Sequence, residues 1–153
     1  MYTIYTDGAY SSSSDCGGAS AIIVHEGNII KKLYQGYKCT TNNRCELRGV
    51  LMALEYFKDF PEELEIYSDS AYVVNSINQK HVHRWFEEQD YTKKNLDLWF
   101  KIIELLDFHN VVFHWVKGHN DNELNCIADL YAVHASQCLN LPIDEITNIQ
   151  KIG

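Results

Sequence analysis

The sequence predicts an α/β fold, in which a mixed five-stranded sheet of three antiparallel strands followed by parallel strands carries helices on both faces. The first observation is that residues 2–37 hold three β-forming runs separated by turn signals, without a helical pattern. The second is that segments with helical spacing alternate with short β-rich runs from Asn43 onward. Parallel strands need long crossover connections, usually helical, so this order favours parallel strands added to the antiparallel set.

The opening strands follow from local pattern. Residues 2–6 alternate β-formers and predict a strand that ends at Asp7-Gly8, where the chain is expected to turn. Residues 19–25 and 29–37 are also β-rich, and Glu26-Gly27-Asn28 between them is a turn signal. These two runs are therefore predicted to pair as a hairpin.

The period then changes to that of a helix. Apolar residues follow helical spacing over 43–58, with Thr41 or Asn42 available as the N-cap and Pro61 preventing continuation. The remaining elements are predicted in the same way: a strand over 64–67, a helix over 71–77 capped by Ser68 or Asp69, a mixed segment over 78–91, a helix over 94–106, a strand over 111–116 and a last helix over 122–139.

Length and composition limit the possibilities further. The 153 residues suit one domain with its own core, which we place at residues 1–140, followed by a C-terminal tail over 141–153 that has no strong pattern. The five cysteines are an odd number without a C-x-x-C pair, so reduced thiols are expected. No apolar run approaches the roughly 18 residues of a membrane span, and the first residues do not resemble a secretory signal. We therefore expect a cytoplasmic protein, independent of membranes.

The net charge of −8, from 13 Lys plus Arg against 21 Asp plus Glu, disfavours binding of nucleic acid by bulk attraction. This objection weakens if several carboxylates surround bound cations. Four acids are candidates for such a cluster: Asp7 and Asp69 at the ends of strands, Glu46 in the first turn of a helix, and Asp129 in the last helix. Each also has an ordinary structural interpretation, as a turn residue, a helix cap, an acid favoured by the helix dipole and a solvated helix face, respectively.

Four blocks of sequence resemble the signatures of the type 1 ribonuclease H family, in the family's order. They are Tyr-Thr-Asp-Gly-Ala at 5–9, Thr-Thr-Asn-Asn-Arg-Cys-Glu-Leu at 40–47, Tyr-Ser-Asp-Ser-Ala-Tyr-Val at 67–73, and Val-Lys-Gly-His at 116–119 followed by Asn-Cys-Ile-Ala-Asp at 125–129. The similarity extends from the first strand to about His134. It implies the ribonuclease H-like fold, which agrees with the order of elements predicted from pattern alone.

The resemblance implies that the chain is an endonuclease that hydrolyses the RNA strand of RNA–DNA hybrids. Asp7, Glu46, Asp69 and Asp129 would bind two Mg²⁺ ions, with Asp7 bridging them and Mn²⁺ as a possible substitute. Water on one ion would attack in line while the other stabilises the departing 3′ oxygen, leaving 5′-phosphate and 3′-hydroxyl ends. His119 matches the family histidine that assists proton transfer or release of product and metal.

Contacts to the hybrid are expected at two places. Thr41, Asn42 and Asn43 lie at a helix N-terminus, which suits phosphate or 2′-hydroxyl groups, although capping is an alternative role there. Trp85, Lys93 and Lys94 fall in a segment that resembles the family's basic protrusion. The match is poor because the segment looks short and Glu87, Glu88 and Asp90 interrupt its positive charge. Packing is as good an interpretation of Trp85 as DNA contact.

Further departures concern fine contacts. A serine-rich stretch, 11–18, stands in place of the family's glycine-rich first loop, and Ala71 in place of a longer polar residue. Two other functions stay open at this point: a non-catalytic nucleic-acid-binding module with the same fold, and a resolvase- or integrase-like DNA nuclease. We expect a monomer.

Overall fold

The computed structural model describes residues 1–118 and 122–146. Within them there are five strands and five helices, and all of these except α3 follow the predicted order. Their bounds are β1 Tyr2–Ser11, β2 Cys16–His25, β3 Asn28–Lys38, α1 Asn42–Tyr56, β4 Glu63–Ser68, α2 Ala71–Asn78, α3 His81–Glu87, α4 Leu96–Phe108, β5 Asn110–Trp115 and α5 Glu123–Ser136.

The strands form one sheet in the order β3-β2-β1-β4-β5. The pairs β1–β2 and β2–β3 are antiparallel, whereas β1–β4 and β4–β5 are parallel. The predicted fold class, a mixed five-stranded sheet with three antiparallel strands followed by parallel ones, is therefore confirmed. The parallel strands place their carboxyl ends at one edge of the sheet.

The first strand is longer than predicted. The expected turn at Asp7-Gly8 is wrong, because β1 continues to Ser11 with β2 as its partner throughout. Its pairing with β4, in contrast, runs only from Tyr2 to Tyr5. Asp7 therefore lies in mid-strand, just past the end of the parallel pair, where the β4 side of β1 is no longer occupied by a strand.

Helices cover both faces of the sheet. The larger core lies on the face of α1 and α4 and includes Ile4, Ile23, Leu54 and Trp99. The smaller core lies under α5 and includes Tyr5, Ile22, Val24 and Ala128. Successive residues of a strand point to opposite faces, so β2, which is buried from Gly17 to Val24, contributes to both layers.

Helix ends differ from prediction where the backbone adopts positive φ. Asn95 has φ 65°, so α4 begins at Leu96 instead of at 94. Lys80 has φ 62° and separates α2 from α3, a helix that the mixed composition of 78–91 did not indicate. Thr41 caps α1, as predicted. The predicted caps of α2 are wrong, because Ser70, and not Ser68 or Asp69, accepts the hydrogen bond from the Val73 N–H.

Residues 141–146 pack against the end of β3. The Lys38 N–H donates to the Pro142 carbonyl at 2.9 Å, and the Asp144 N–H donates to the Lys38 carbonyl at 2.9 Å. Asp144 is 2% exposed, although the sequence around it shows no pattern typical of buried structure. α5 ends at Ser136, earlier than the predicted 139, to allow this return.

The state of the cysteines and the character of the helices were both expected from composition. All five cysteines are free thiols. In the described ranges, no helix combines the length and the apolar composition that crossing a bilayer would require.

Candidate active site

Three carboxylates from different elements meet at the carboxyl edge of the parallel strands. Asp7 comes from β1, Glu46 from the second turn of α1, and Asp69 directly follows β4. One carboxylate oxygen from each lies within 4.8 Å of the others. Asp7 and Glu46 are only 3% and 6% exposed, which is unusual for acids without a basic partner.

Gly8 orients two of these acids. Its main-chain N–H donates to Asp7 Oδ1 at 2.9 Å and to Glu46 Oε1 at 2.8 Å. A side chain at this position would place its Cβ 2.6 Å from the Glu46 nitrogen and 2.8 Å from the Cys45 carbonyl carbon. Glycine is therefore needed because α1 approaches β1 closely there, and this approach brings Glu46 to Asp7.

The cluster carries strong electrostatic strain. Burial, and then the charges of Glu46 and Asp69, raise the pKa of Asp7 far above its usual range. Burial, and then the charge of Asp69, likewise raise the pKa of Glu46. Like charges in a site of low dielectric disfavour each other's ionised form. A cation bound between these side chains would remove the repulsion.

Asp69 is held by β5 and by the loop after it. The Trp115 indole N–H donates to the main-chain carbonyl of Asp69 at 3.1 Å, and a Cβ on Gly118 would lie 3.0 Å from Asp69 Oδ2. The Val116 N–H donates to the Ser68 carbonyl at 2.9 Å and continues the β4–β5 pairing. The sequence reasoning did not assign a role to Trp115, since an aromatic residue at a strand end usually packs.

Asp129 interacts electrostatically with Glu46 but is not part of the group formed by the three acids. It is half-buried on α5, which packs on β1 and β2. Its charge contributes to the raised pKa of Glu46, although less than burial and Asp69 do. Asp129 is therefore near enough to Glu46 for the two charges to interact, from a helix that packs on the other face of the sheet from α1. His119 lies outside the described residues.

The residues at the N-terminus of α1 divide by role. Thr41 Oγ1 accepts from the Arg44 N–H at 3.2 Å, so this side chain serves as the cap. Asn42 and Asn43 are exposed in the first turn. All three precede Glu46 by about one turn of helix, so they lie near the end of α1 that carries this acid.

Trp85 and Lys93, which were predicted to contact the DNA strand, make contacts within their own segment and with the core. Trp85 is half-buried on α3 and packs against the larger core. The Lys93 ammonium lies 5.7 Å from the centroid of the Trp85 ring and 3.9 Å from Asp90 Oδ2. Lys94 is exposed. Part of the positive charge in this segment is therefore engaged by Asp90 within the segment itself.

A buried ionic network underlies α1 and was missed by the sequence reasoning. Arg44, 2% exposed, donates from Nη1 and Nη2 to the two oxygens of Asp97 and from Nε and Nη2 to the two oxygens of Asp144, all between 2.9 and 3.0 Å. Arg48 and Thr40 also donate to Asp144, at 2.5 and 2.7 Å. Burial would raise the pKa of Asp144, but the hydrogen bonds from Arg44, Arg48 and Thr40 outweigh it and hold the pKa below its usual range.

The fold and the site together define an α/β protein with a carboxylate cluster at the carboxyl edge of its parallel strands. Residues 1–137 match the family model described as RNase H. The chain therefore belongs to the ribonuclease H family and is an enzyme of that class.

Relatives support the same assignment over most of the chain. The ribonuclease H of Chlorobium phaeobacteroides (strain BS1) is 44% identical over 139 residues, which cover 87% of this chain and 93% of the relative. That of Trichodesmium erythraeum (strain IMS101) is 42% identical over 147 residues, covering 93% and 92%. The similarity is thus not confined to the short motifs.

Solved structures give the same fold. The crystal structure of a type 1 RNase H with the type 2 active-site motif is similar with a TM-score of 0.76 at 26% identity, covering 88% of this chain and 71% of that one. A ribonuclease H in complex with an RNA/DNA hybrid has a TM-score of 0.70 at 23% identity, covering 89% and 96%. At 23% identity, the second similarity shows that the two chains share a fold.

Proposed function

We propose that this chain is a metal-dependent endonuclease that hydrolyses the RNA strand of RNA–DNA hybrids. The observation that carries the proposal is the cluster of Asp7, Glu46 and Asp69, with oxygens within 4.8 Å of one another at the edge of the sheet. Family membership supports the substrate class. The ribonuclease H that was crystallised with an RNA/DNA hybrid shares this fold.

The donor set fits hard divalent cations. The three clustered groups offer only carboxylate oxygens, which Mg²⁺ and Mn²⁺ prefer over softer ions. Burial, and then the charges of the neighbouring acids, raise the pKa values of Asp7 and Glu46, and a bound cation would favour their ionised forms. We propose that Asp7, Glu46, Asp69 and Asp129 hold two Mg²⁺ ions, with Mn²⁺ as a substitute. Bound there, the ions would activate water and stabilise charge on the phosphate and the leaving 3′ oxygen, giving 5′-phosphate and 3′-hydroxyl ends.

The chain's own groups prepare the site. The Gly8 N–H fixes one oxygen each of Asp7 and Glu46. The Trp115 indole N–H fixes the main chain at Asp69, and the backbone at Gly118 passes close to the Asp69 carboxylate. We propose that His119, in the loop before α5, moves a proton at the leaving group or assists product release.

Hybrid recognition is proposed at the start of α1. Asn42 and Asn43 present exposed amide side chains there, which suit 2′-hydroxyl and phosphate contacts. Thr41 would contribute mainly through its backbone, because its hydroxyl oxygen caps the helix. Trp85, Lys93 and Lys94 are proposed as contacts to the DNA strand. Since Asp90 already pairs with Lys93, we expect binding there to be weak and sensitive to salt.

The test is cleavage of a labelled RNA–DNA hybrid in Mg²⁺, with single-stranded RNA, duplex RNA and duplex DNA as controls and EDTA as the metal-free arm. We expect that only the RNA strand of the hybrid is cut, and only when metal is present. The cut should leave 3′-hydroxyl ends that a polymerase can extend. Asp7→Asn is expected to abolish it. Cleavage of duplex DNA would favour a resolvase-like nuclease, and no cleavage in Mg²⁺ or Mn²⁺ would favour a binding module. The monomeric state, the cytoplasmic location and the domain limit at residue 140 stay predictions.

A further inference from the structure

Ser20 occupies a special place between two elements of the site. It lies on β2 directly opposite Asp7 in the antiparallel pair with β1. Directly opposite residues in such a pair point to the same face of the sheet, about 5 Å apart at Cβ. The face in question is the one that α5 covers, because Ile22 on the same side of β2 packs in the core under α5.

The Ser20 hydroxyl reaches the helix that carries Asp129. Its Oγ donates to the main-chain carbonyl of Ala128 at 2.5 Å, and Ser20 is fully buried. Ala128 immediately precedes Asp129. Ser20 therefore lies opposite Asp7 in the sheet and is hydrogen-bonded to the turn of α5 that carries Asp129.

The hydrogen bond between Ser20 and Ala128 lies where α5 packs very closely on the sheet. A Cβ on Gly18 would lie too close to the Ala132 carbonyl, and one on Gly36 too close to the Ala135 carbonyl. The backbone of α5 thus lies almost directly on the backbone of β2 and β3. At the Ala128 turn, the contact is made by a polar hydrogen bond with defined length and direction.

We propose that Ser20 is a positioning residue for Asp129. Its hydroxyl fixes the Ala128–Asp129 turn relative to Asp7, so that Asp129 completes the metal-binding set formed by Asp7, Glu46 and Asp69. The inference rests on the proposed function, because it assumes that these four acids share divalent cations.

The variant Ser20→Ala removes the hydroxyl without leaving a buried donor unpaired. The Ala128 carbonyl sits inside α5 and keeps its helical acceptor role, so the fold is expected to persist. Groups that orient ligands typically change metal affinity by tenfold or more. We expect Ser20→Ala to weaken Mn²⁺ binding by about tenfold, with a melting temperature in EDTA close to that of the wild type.

The matched control is Thr6→Val. Thr6 is 1% exposed and adjacent to Asp7, but its hydroxyl has no hydrogen-bond partner and points to the opposite face, toward α1. Like Ser20→Ala, the variant Thr6→Val removes a buried hydroxyl, but this hydroxyl does not reach α5. We expect Mn²⁺ binding by Thr6→Val to match that of the wild type. Ser20→Cys, which keeps a weaker donor of similar size, is expected to bind with intermediate affinity.

The decisive experiment is a double-mutant cycle read by calorimetric Mn²⁺ titration of the full chain. If Ser20 acts through Asp129, Ser20→Ala weakens Mn²⁺ binding in the wild-type background and adds no loss in the Asp129→Asn background. Equal losses in both backgrounds, or none in either, would overturn the proposal. So would unchanged binding by Asp129→Asn alone. A wild type that binds Mn²⁺ but cleaves no hybrid would sink the proposed function while leaving this inference testable, and a wild type that binds no divalent ion would sink both.

Discussion

The Trp115 indole N–H donates a hydrogen bond to the main-chain carbonyl of Asp69, at 3.1 Å. Trp115 is 54% exposed, so burial of its ring contributes less than it would in a core. The bond instead fixes the backbone of the residue that follows β4, one of the three clustered acids. A side chain of β5 thereby fixes the main chain at Asp69, which directly follows the neighbouring strand β4.

Replacing Trp115 by Phe should separate this role from packing. Phe keeps an aromatic ring and loses the donor, so we expect kcat/KM for hybrid cleavage to fall about fivefold, the equivalent of ~1 kcal/mol for one neutral hydrogen bond. Val112→Ala, another exposed residue of β5, serves as the control and should cleave at the wild-type rate. Unchanged kcat/KM in Trp115→Phe would show that the bond does not matter for Asp69.

Gly8→Ala should damage both the fold and the site. The added Cβ would lie 2.6 Å from the Glu46 nitrogen, against backbone that cannot move aside without shifting α1. We expect a loss of about 1–3 kcal/mol in the free energy of unfolding, measured by urea denaturation, and loss of cleavage. Gly27→Asn is the control, because Gly27 lies in an open turn at φ 79°, which Asn tolerates. A fully active Gly8→Ala would contradict the close approach of α1 to β1.

Asp7→Asn is expected to stabilise the protein when metal is absent. Because the pKa values of Asp7 and Glu46 are raised in the folded state, the stability that goes with their protonation is present below the usual pKa of about 4 and is lost as the pH rises toward the raised values. Removing one acid should make the free energy of unfolding in EDTA fall less steeply between pH 4 and neutrality. Urea titrations of wild type and variant at several pH values measure this. A steeper fall in the variant would argue against repulsion in the cluster.

Asp144→Asn should destabilise the protein strongly. It leaves Arg44 buried with Asp97 and without the second carboxylate, and breaking such buried pairs costs about 3–5 kcal/mol. Since the folded-state pKa of Asp144 is lowered, its contribution is present above the usual pKa of about 4 and is lost as the pH falls through the lower folded value. The variant should lack this acid-dependent loss. Glu145→Gln, whose side chain is exposed, should denature like the wild type in the same urea experiments.

The sequence allowed the strand and helix order to be predicted because periodicity reflects which face of each element is buried. It also allowed Asp7, Glu46 and Asp69 to be singled out, since the pattern predicted each at the end of a strand or in the first turn of a helix, within a block that resembles the family's. The helix starts at Leu96 and His81 could not be predicted, because they depend on positive φ at Asn95 and Lys80. Asn adopts positive φ more often than most residues without requiring it, and Lys gives no such signal.

Long-range polar contacts were beyond the reach of local pattern. Asp144 lies 100 residues from Arg44, in a stretch with no periodicity, and its burial depends on where β3 ends. In the sequence, Ser20 is not distinguished from the other small residues of the strand that contains it. Its hydrogen bond to Ala128 depends on how closely α5 approaches the sheet, which is a property of the assembled layers.

The ionic network around Arg44 has a consequence for the order of events during synthesis. Arg44 and its partner Asp97 are made early enough to meet while the chain is still growing, but Asp144 arrives a hundred residues after Arg44. Until it does, the start of α1 holds a guanidinium with only part of its final set of acceptors, beside the loop that presents Thr41 and Asn42. Residues 141–146 thus complete the set of acceptors around Arg44 last, and a chain truncated before residue 144 should be cleaved by protease at the start of α1 more readily than the full chain.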